Sequence, residues 1–412
     1  MRKRPRVALL IETSTSFGRG LLKGIGEYLR PRSGWSMFLQ ERSFEDPFPG
    51  WIRSWRGEGI ITRLKHGPHA QELLSLGLPI VDVRYQEPDL GLPAVHADQY
   101  AAGRLAAQHY LDRGFRHFAW YGPEPYNWAE HRRKGYVEVI HEKNLSCLGF
   151  PGRWADLAGP GWEEVVAELC GWIKNLPRPI AIFTSHDIRG LEVLEACRRL
   201  DLAVPEQVSV LGVDDDEILC NLGEPPLSSI NTNIERIGYE AAALLDRMMN
   251  GEPRPHAPLL VAPLGVTLRA STDTTAIDDE AVARACRYIR EHACEGIDVD
   301  QVVQQTGLSR RALERRFQRW LKRTPKSEIH RVQIQRVKDL LLHTTCKLAE
   351  IAAITGFQHV EYMSFLFKKK TGQTPGQYRR LKERPQHGSM PEPEPEPDPD
   401  TSAYEATIGE DD

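Results

Sequence analysis

The sequence has no apolar run near the roughly 20 residues that a bilayer-spanning helix needs, so a membrane-embedded role finds no support. Its seven cysteines are an odd number with no CxxC or Cys/His ligand spacing, which argues against a disulfide framework and against a zinc site. A reducing, cytoplasmic compartment is the expectation. The apolar stretch over residues 7–11, behind the basic start MRKRP, is too short for a secretory h-region and lacks a small-residue cleavage site, so it reads as a buried strand. Also missing are a nucleophile elbow, a phosphate-cradling glycine motif and a paired-acid signature, so neither catalysis nor a cofactor is expected.

What is present begins with length: 412 residues exceed what one hydrophobic core supports and predict two or three domains. The formal net charge of -4 conceals a segregation. Residues 281–384 hold 22 Lys and Arg against 10 Asp and Glu, whereas residues 385–412 hold nine acids and no Lys or Arg. A basic segment of about a hundred residues predicts a polyanion as partner for that segment alone.

Residues 1–275 alternate strand-like runs (7–11, 59–61, 79–83, 117–121, 180–184, 208–213) with helical patterns (19–29, 100–113, 188–200), the mark of an α/β domain with parallel sheets. Residues 271–280 read as an exposed linker ending in a helix start, with Asp278 or Asp279 as N-cap. Residues 276–384 are helical throughout. The tail over 385–412, with PEPEPEPDPD at 391–400, reads as an extended, solvated arm.

The helical segment contains one device twice. Gly307 recurs as Gly356, Phe317 as Phe367 and Thr324-Pro325 as Thr374-Pro375, at offsets of 49 or 50. In each copy a short amphipathic helix (299–306, 348–355) runs into the glycine, which can take the positive φ of a tight helix-helix turn. A second helix follows, with Leu313 and Phe317 or Met363 and Phe367 facing inward, and a continuous helix over 328–343 joins the copies. Each copy is therefore predicted to be a helix-turn-helix whose second helix can enter a major groove of double-stranded DNA. On the first such helix Arg310, Arg311, Glu314 and Arg315 are placed for bases; on the second, His359, Val360, Glu361 and Ser364, where contact with thymine methyls is expected. Arg319, Arg323, Lys368, Lys369 and Lys370 are cast as phosphate contacts. The stretch IAAITGFQHVEYMSFLFKKKTGQTPGQYRR and the earlier SRRALERRFQRWLKRTP resemble the arabinose-regulator (AraC/XylS) family of DNA-binding domains. The resemblance implies two units in successive grooves on one face of an operator.

In the α/β segment, polar and aromatic groups gather where strands end. Asp214 follows 208–213, Trp128 and Arg132 follow 117–121, and His186 with Asp187 follow 180–184. A carboxylate, a guanidinium and an aromatic face suit a small neutral sugar. The alternative readings are a helix cap or internal charge for Asp214 and Asp187, packing between lobes for Trp128 and Phe17, and a structural role for His186. VPEQVSVLGVDD, HADQYAAGRLAAQHYLDRGFRHFAWYGP and LSSINTNIERIGYEAAALL resemble the effector domain of the lactose/galactose-repressor family, similar to periplasmic sugar-binding proteins. The resemblance implies a two-lobed periplasmic-binding-protein-like fold, with Asp214 as hydroxyl acceptor, Arg132 as a sugar contact, His186 where the family has Asn, and Phe17 and Trp128 as ring contacts. Because the first strand begins at residue 7, that family's N-terminal DNA-binding headpiece is not expected here. The order of sensor first and reader last, with GIGEYL, NWAEHR and YIREHACEGIDVDQV, resembles regulators of the xylose-operon type. This implies D-xylose or a related monosaccharide or polyol as effector, activation through RNA polymerase, and a homodimer. The alternative left open is a sugar-binding protein without a transcriptional role. Passages between lobes are expected near 95–98, 225–227 and 253–255, closing about the sugar by a hinge.

Overall fold

Apolar runs that leave no face for water become the central strands of parallel sheets, with helices on both sides. The computed structural model describes residues 4–383 apart from 33, 44–45, 47–48, 64–67, 85–90, 124–126, 153–160, 274–278 and 345. The chain begins with β1 (Arg6–Leu10), α1 (Ser16–Leu29), β2 (Ser36–Leu39), β3 (Gly59–Thr62), α2 (Pro68–Leu74), β4 (Ile80–Asp82) and β5 (Val95–Ala97). It continues through α3 (Gln99–Leu111), β6 (His117–Pro123), α4 (Asn127–His141), β7 (Cys147–Gly152), α5 (Trp162–Lys174), β8 (Ile180–Thr184), α6 (Asp187–Arg199), β9 (Val208–Val213), α7 (Glu217–Leu222) and β10 (Ser228–Asn231). Then come α8 (Ile234–Met249), β11 (Leu259–Val261) and β12 (Gly265–Thr267). The helical remainder is α9 (Glu280–His292), α10 (Val299–Gln304), α11 (Arg310–Leu321), α12 (Pro325–His343), α13 (Leu348–Ile354), α14 (Val360–Thr371) and α15 (Pro375–Glu383).

Two lobes result. Lobe 1 has the parallel order β2-β1-β3-β4, extended by an Asp82–Ala94 bridge to the pair β5-β11. Leu9, Ile11, Leu21, Ile25, Ile237 and Leu245 bury the face beneath α1 and α8, and Leu10, Ile52, Trp55 and Ile60 bury the other. Lobe 2 has the order β12-β10-β9-β8-β6-β7, parallel except for β12. Tyr110, Phe118, Tyr136 and Phe183 pack beneath α3 and α4; Val166, Leu169, Val193 and Val210 pack beneath α5 and α6. All six expected strands are present; those the sequence concealed, β2, β5, β7 and β10 to β12, are short or lie at edges and passages.

The passages differ in part from expectation. The first, between β5 and α3, lies where it was placed. The second falls between β10 and α8, because β10 still pairs with β9 of lobe 2 while α8 packs into the lobe 1 core. The third falls between β11 and β12, which pair with β5 and β10 respectively. Residues 225–227 and 253–255 thus mark turns within a lobe: proline reports a loop, not which loop changes lobe.

The described residues form two compact units. One holds Met1–Ile289 with Val299–Pro325, so α10 and α11 belong with the lobes; the other holds Arg290–Asp298 and the chain from Lys326. Asp279 caps α9, its carboxylate accepting from Ala281 N and Val282 N at 3.2 Å. Residues 274–278, with Asp278 and the boundary between 275 and 276, and the acidic tail over 385–412 lie outside the described residues; Ser271 and Thr272, expected in an exposed linker, are instead fully buried because they bond into lobe 2. Both turn glycines have positive φ, +68° at Gly307 and +73° at Gly356. Leu313, Phe317, Met363 and Phe367 are all fully buried, as the repeat required. At the C-terminal end of α14 Gly372 takes φ +78°, but its counterpart after α11 is Lys322, at φ +54°. A side chain there pays the left-handed penalty that glycine avoids. Lys322→Gly is expected to stabilise its unit by about 1 kcal/mol, read as a higher midpoint in chemical denaturation.

Candidate functional site

In an open parallel sheet, the crevice at the C-terminal strand ends opens where strand order reverses. Here those points lie between β1 and β3 in lobe 1 and between β6 and β8 in lobe 2. The segments leaving these strands carry most of the expected sugar-contact residues.

Lobe 2 centres on Arg132, 2% exposed on α4. The helix is held close to α3 by Gly103, where a Cβ would stand 1.9 Å from Arg132 O. Arg132 Nε donates to Gln99 Oε1 at 2.5 Å, Nη1 to Ser185 O, and Nη2 to Asp214 Oδ1 at 3.0 Å. Trp128 lies one helical turn earlier, its ring 5.0 Å from the guanidinium. Asp214 sits at φ +96°, directly after β9, and Thr232 Oγ1 donates to the same Oδ1 at 3.3 Å. Its neighbour Asp215 is taken up by Arg269, Thr267 and Asn231, and fixes the turn. These side chains bring Asp214, Arg132 and Trp128 together.

His186 meets Trp128 edge-on at 5.9 Å and contacts Ser185 Oγ through Nδ1 at 2.9 Å. Burial, with Arg189 and Arg132 nearby, pushes its imidazole down to about 3, so it is neutral. Asp187 is buried beneath the site: Oδ1 accepts from Ser229 Oγ at 2.5 Å and Oδ2 from Asp216 N at 2.8 Å. These bonds engage both oxygens in bracing the loop that carries Asp214.

Lobe 1 contributes groups that sequence reasoning missed. Glu12, the second residue after β1, is buried and paired with Arg63, which follows β3. Thr15 Oγ1 donates to Glu12 Oε1 at 2.8 Å and accepts from Gly18 N, fixing the start of α1. The Arg63 guanidinium lies 4.3 Å from the Phe17 ring, so Phe17 is joined to this pair. Burial and the nearby Arg84 lower Arg63 to about 10, against the opposing pull of Asp214 and Asp82. Arg63 and Asp214, from different lobes, are therefore within electrostatic reach of each other. Glu12 and Arg63 are the first polar groups after the two strands at the lobe 1 order reversal, so the strand-end rule that found Asp214, applied to β1 and β3, would have found them. The sequence alone did not reveal which strands those were.

Each helical unit presents its own exposed face. On α11, Arg310, Arg311, Glu314, Arg315 and Arg319 are exposed, with Arg310 bridging Asp300 at 3.0 Å and Glu314 at 3.2 Å. Ser309 caps this helix, accepting from Ala312 N. On α14, Glu361, Lys368, Lys369 and Lys370 are exposed, as is His359 at its N-cap, while Val360 and Ser364 are half-buried. Tyr362 and Phe365, passed over in the sequence, are also exposed.

A two-lobed cleft domain joined to paired helix-turn-helix units defines a transcription regulator of the ligand-controlled class. Residues 6–97 match the XylR N-terminal domain, 107–272 a periplasmic binding protein-like domain, and 302–381 a helix-turn-helix domain. The xylose operon regulatory protein of Escherichia coli K12 is 34% identical over 92% of this chain and 97% of its own length. That of Haemophilus influenzae is 31% identical over 91% and 98%. A solved structure of the xylose-binding transcription activator xylR superposes with a TM-score of 0.79 at 31% identity, covering 92% of this chain and 99% of that one. The chain belongs to the xylose operon regulator family. Among the described residues no helix is long and apolar enough to cross a membrane.

Asp187 gives the site a pH signature. Burial holds its carboxyl at about 8, with Asp214 and Asp215 adding to the effect. A carboxyl raised on folding contributes stability that is full below its unfolded value and lost as pH rises through the folded one. His186, depressed to about 3, acts oppositely, losing stability as pH falls below its ordinary 6.5. Between pH 6.5 and 8 the Asp187 contribution dominates, so thermal stability is expected to fall across that window. Asp187→Asn is expected to flatten the slope, measured by melting the ligand-free protein in matched buffers.

Proposed function

We propose that this chain is a cytoplasmic, homodimeric activator of transcription that binds D-xylose between its lobes and an operator through residues 276–384, with RNA polymerase as partner and no catalytic activity of its own. The observation that carries the reading is the pair of opposed half-sites: Arg132, Asp214 and Trp128 from lobe 2, Glu12, Arg63 and Phe17 from lobe 1. A pentose carries hydroxyls around its edge and C–H groups on its faces. Asp214 accepts from vicinal hydroxyls, Arg132 and Arg63 donate, and Trp128 and Phe17 cover the faces. Asp187 and His186 act from behind, as supports for Asp214 and Trp128. The names of the relatives, xylose operon regulatory protein and xylose-binding transcription activator, support xylose as the effector and activation as the output.

A ligand shifts a two-state equilibrium only through its preference for one state. With groups from both lobes on one sugar, that preference is for closure, on the order of 1 to 3 kcal/mol in coupled systems of this kind. On DNA, Arg310, Arg311, Glu314 and Arg315 read bases from α11, and His359, Val360, Glu361 and Ser364 from α14. Arg319, Lys368 and Lys369 hold phosphates.

Asp214→Ala removes a charged acceptor, and xylose affinity by titration calorimetry is expected to drop roughly ten- to a hundredfold. Unchanged binding heat would reject the site. Replacing Lys368 and Lys369 together by Ala is expected to lower the slope of log affinity against log salt by about 2, without altering which sequence is preferred.

A further inference from the structure

The second helix of the second unit carries a side chain that its core does not use. Phe365 is 62% exposed, although Met363 and Phe367 on the same helix are fully buried. It stands on one face with Glu361 and Lys368, four residues before it and three after, where helical neighbours align. Counting back by the repeat offset of 50, which maps Phe367 onto Phe317 and Thr374-Pro375 onto Thr324-Pro325, Phe365 corresponds to Arg315 of α11. Arg315 is likewise exposed, on the face assigned to bases. The fold thus puts a guanidinium in one copy and a benzyl group in the other at one position of one device.

We propose that Phe365 is a specificity-determining residue, packing against the C5-methyl of a thymine in the major groove that α14 reads. Guanine offers that groove two acceptors, which an arginine matches; thymine offers a methyl, which an apolar side chain matches. Lys368 and Lys369, three and four residues on, outweigh Glu361 on the face that carries the ring, so a nucleic acid fits this surface better than an apolar protein partner does. An exposed phenylalanine costs solubility without aiding the fold, and a groove that desolvates it removes that cost. The inference rests on the reading of α14 as a groove-entering helix.

The test uses the full-length protein with xylose and a duplex selected by it from a randomised pool. Each thymine is replaced in turn by uracil, which lacks only the methyl. For the wild type, at least one position in the half-site bound by α14 is expected to lose roughly fourfold in affinity, the loss of one buried methyl. Phe365→Ala, checked for folding by circular dichroism, is expected to bind more weakly and to be indifferent to uracil there. Phe365→Arg is expected to prefer guanine at that position. Wild-type indifference to every uracil, or sensitivity that persists in Phe365→Ala, overturns the proposal. So does a Phe365→Ala protein that binds DNA normally and loses only polymerase-dependent activation, since the ring would then face polymerase. If Lys368 and Lys369 also prove silent in salt titrations, the placement of α14 itself has failed, and the proposal with it.

Discussion

The proposed sugar site depends on how one buried guanidinium is satisfied. Removing an arginine from water costs several kcal/mol, and only a full set of partners offsets it. Arg132 finds them on three elements: Gln99 opening α3, Ser185 after β8 and Asp214 after β9, with the Trp128 ring alongside. The charge therefore ties together the ends of two strands and two helices. It also stabilises an aspartate at φ +96°, a backbone conformation that a non-glycine residue adopts only when its surroundings hold it there. With Arg132 lost, the Asp214 carboxylate would keep the 3.3 Å contact from Thr232, and its backbone N–H the 3.0 Å bond to Ile230 O.

Lobe 1 repeats the solution with its own charges. Glu12 and Arg63 neutralise each other as Asp214 and Arg132 do, so each half-site is electrically balanced before any ligand arrives. That balance selects against ions. A phosphate or sugar acid would have to compete with a carboxylate already in place on each guanidinium. A neutral polyol can instead insert hydroxyls that both donate and accept, leaving the ion pairs standing. On the proposed binding mode the aromatic rings, each near an arginine, offer apolar faces to C–H groups.

Legibility in the sequence followed the range of the interaction. Long buried strands announced themselves by composition, and the turn glycines and inward aromatics of the helix-turn-helix units by repetition, because both are local properties. Asp214, Arg132 and Trp128 were legible as polar or aromatic groups just beyond such strands. Glu12, Arg63 and Gln99 were not: their roles follow from which strands lie side by side, a long-range outcome. The same limit displaced two lobe passages from the turns that carry them to the proline-marked loops at 225–227 and 253–255. Asp187 shows the converse, since it stands at a strand end like Asp214, and only its bonds to Ser229 and Asp216 reveal that it faces inward.

The route out of the sensing domain is also fixed by buried polar contacts, and it begins in lobe 2. Ser271 Oγ donates to Val210 O at 2.6 Å and accepts from Ser228 N, and Thr272 meets His109 at 3.0 Å and Arg113 at 3.1 Å. Residues 270–272 are thereby part of the lobe 2 core, not the start of a free tether. Beyond the linker, Arg287 of α9 donates to the Asp201 carboxylate at 2.6 Å, on the loop between α6 and β9. Buried bonds before the linker thus fasten residues 270–272 to lobe 2, and an exposed ion pair after it joins α9 to the same lobe. Hinge rotation leaves packed lobes internally unchanged. If the cleft closes about the sugar as proposed, these bonds make lobe 2 the stationary part in the frame of α9 and lobe 1 the part that moves.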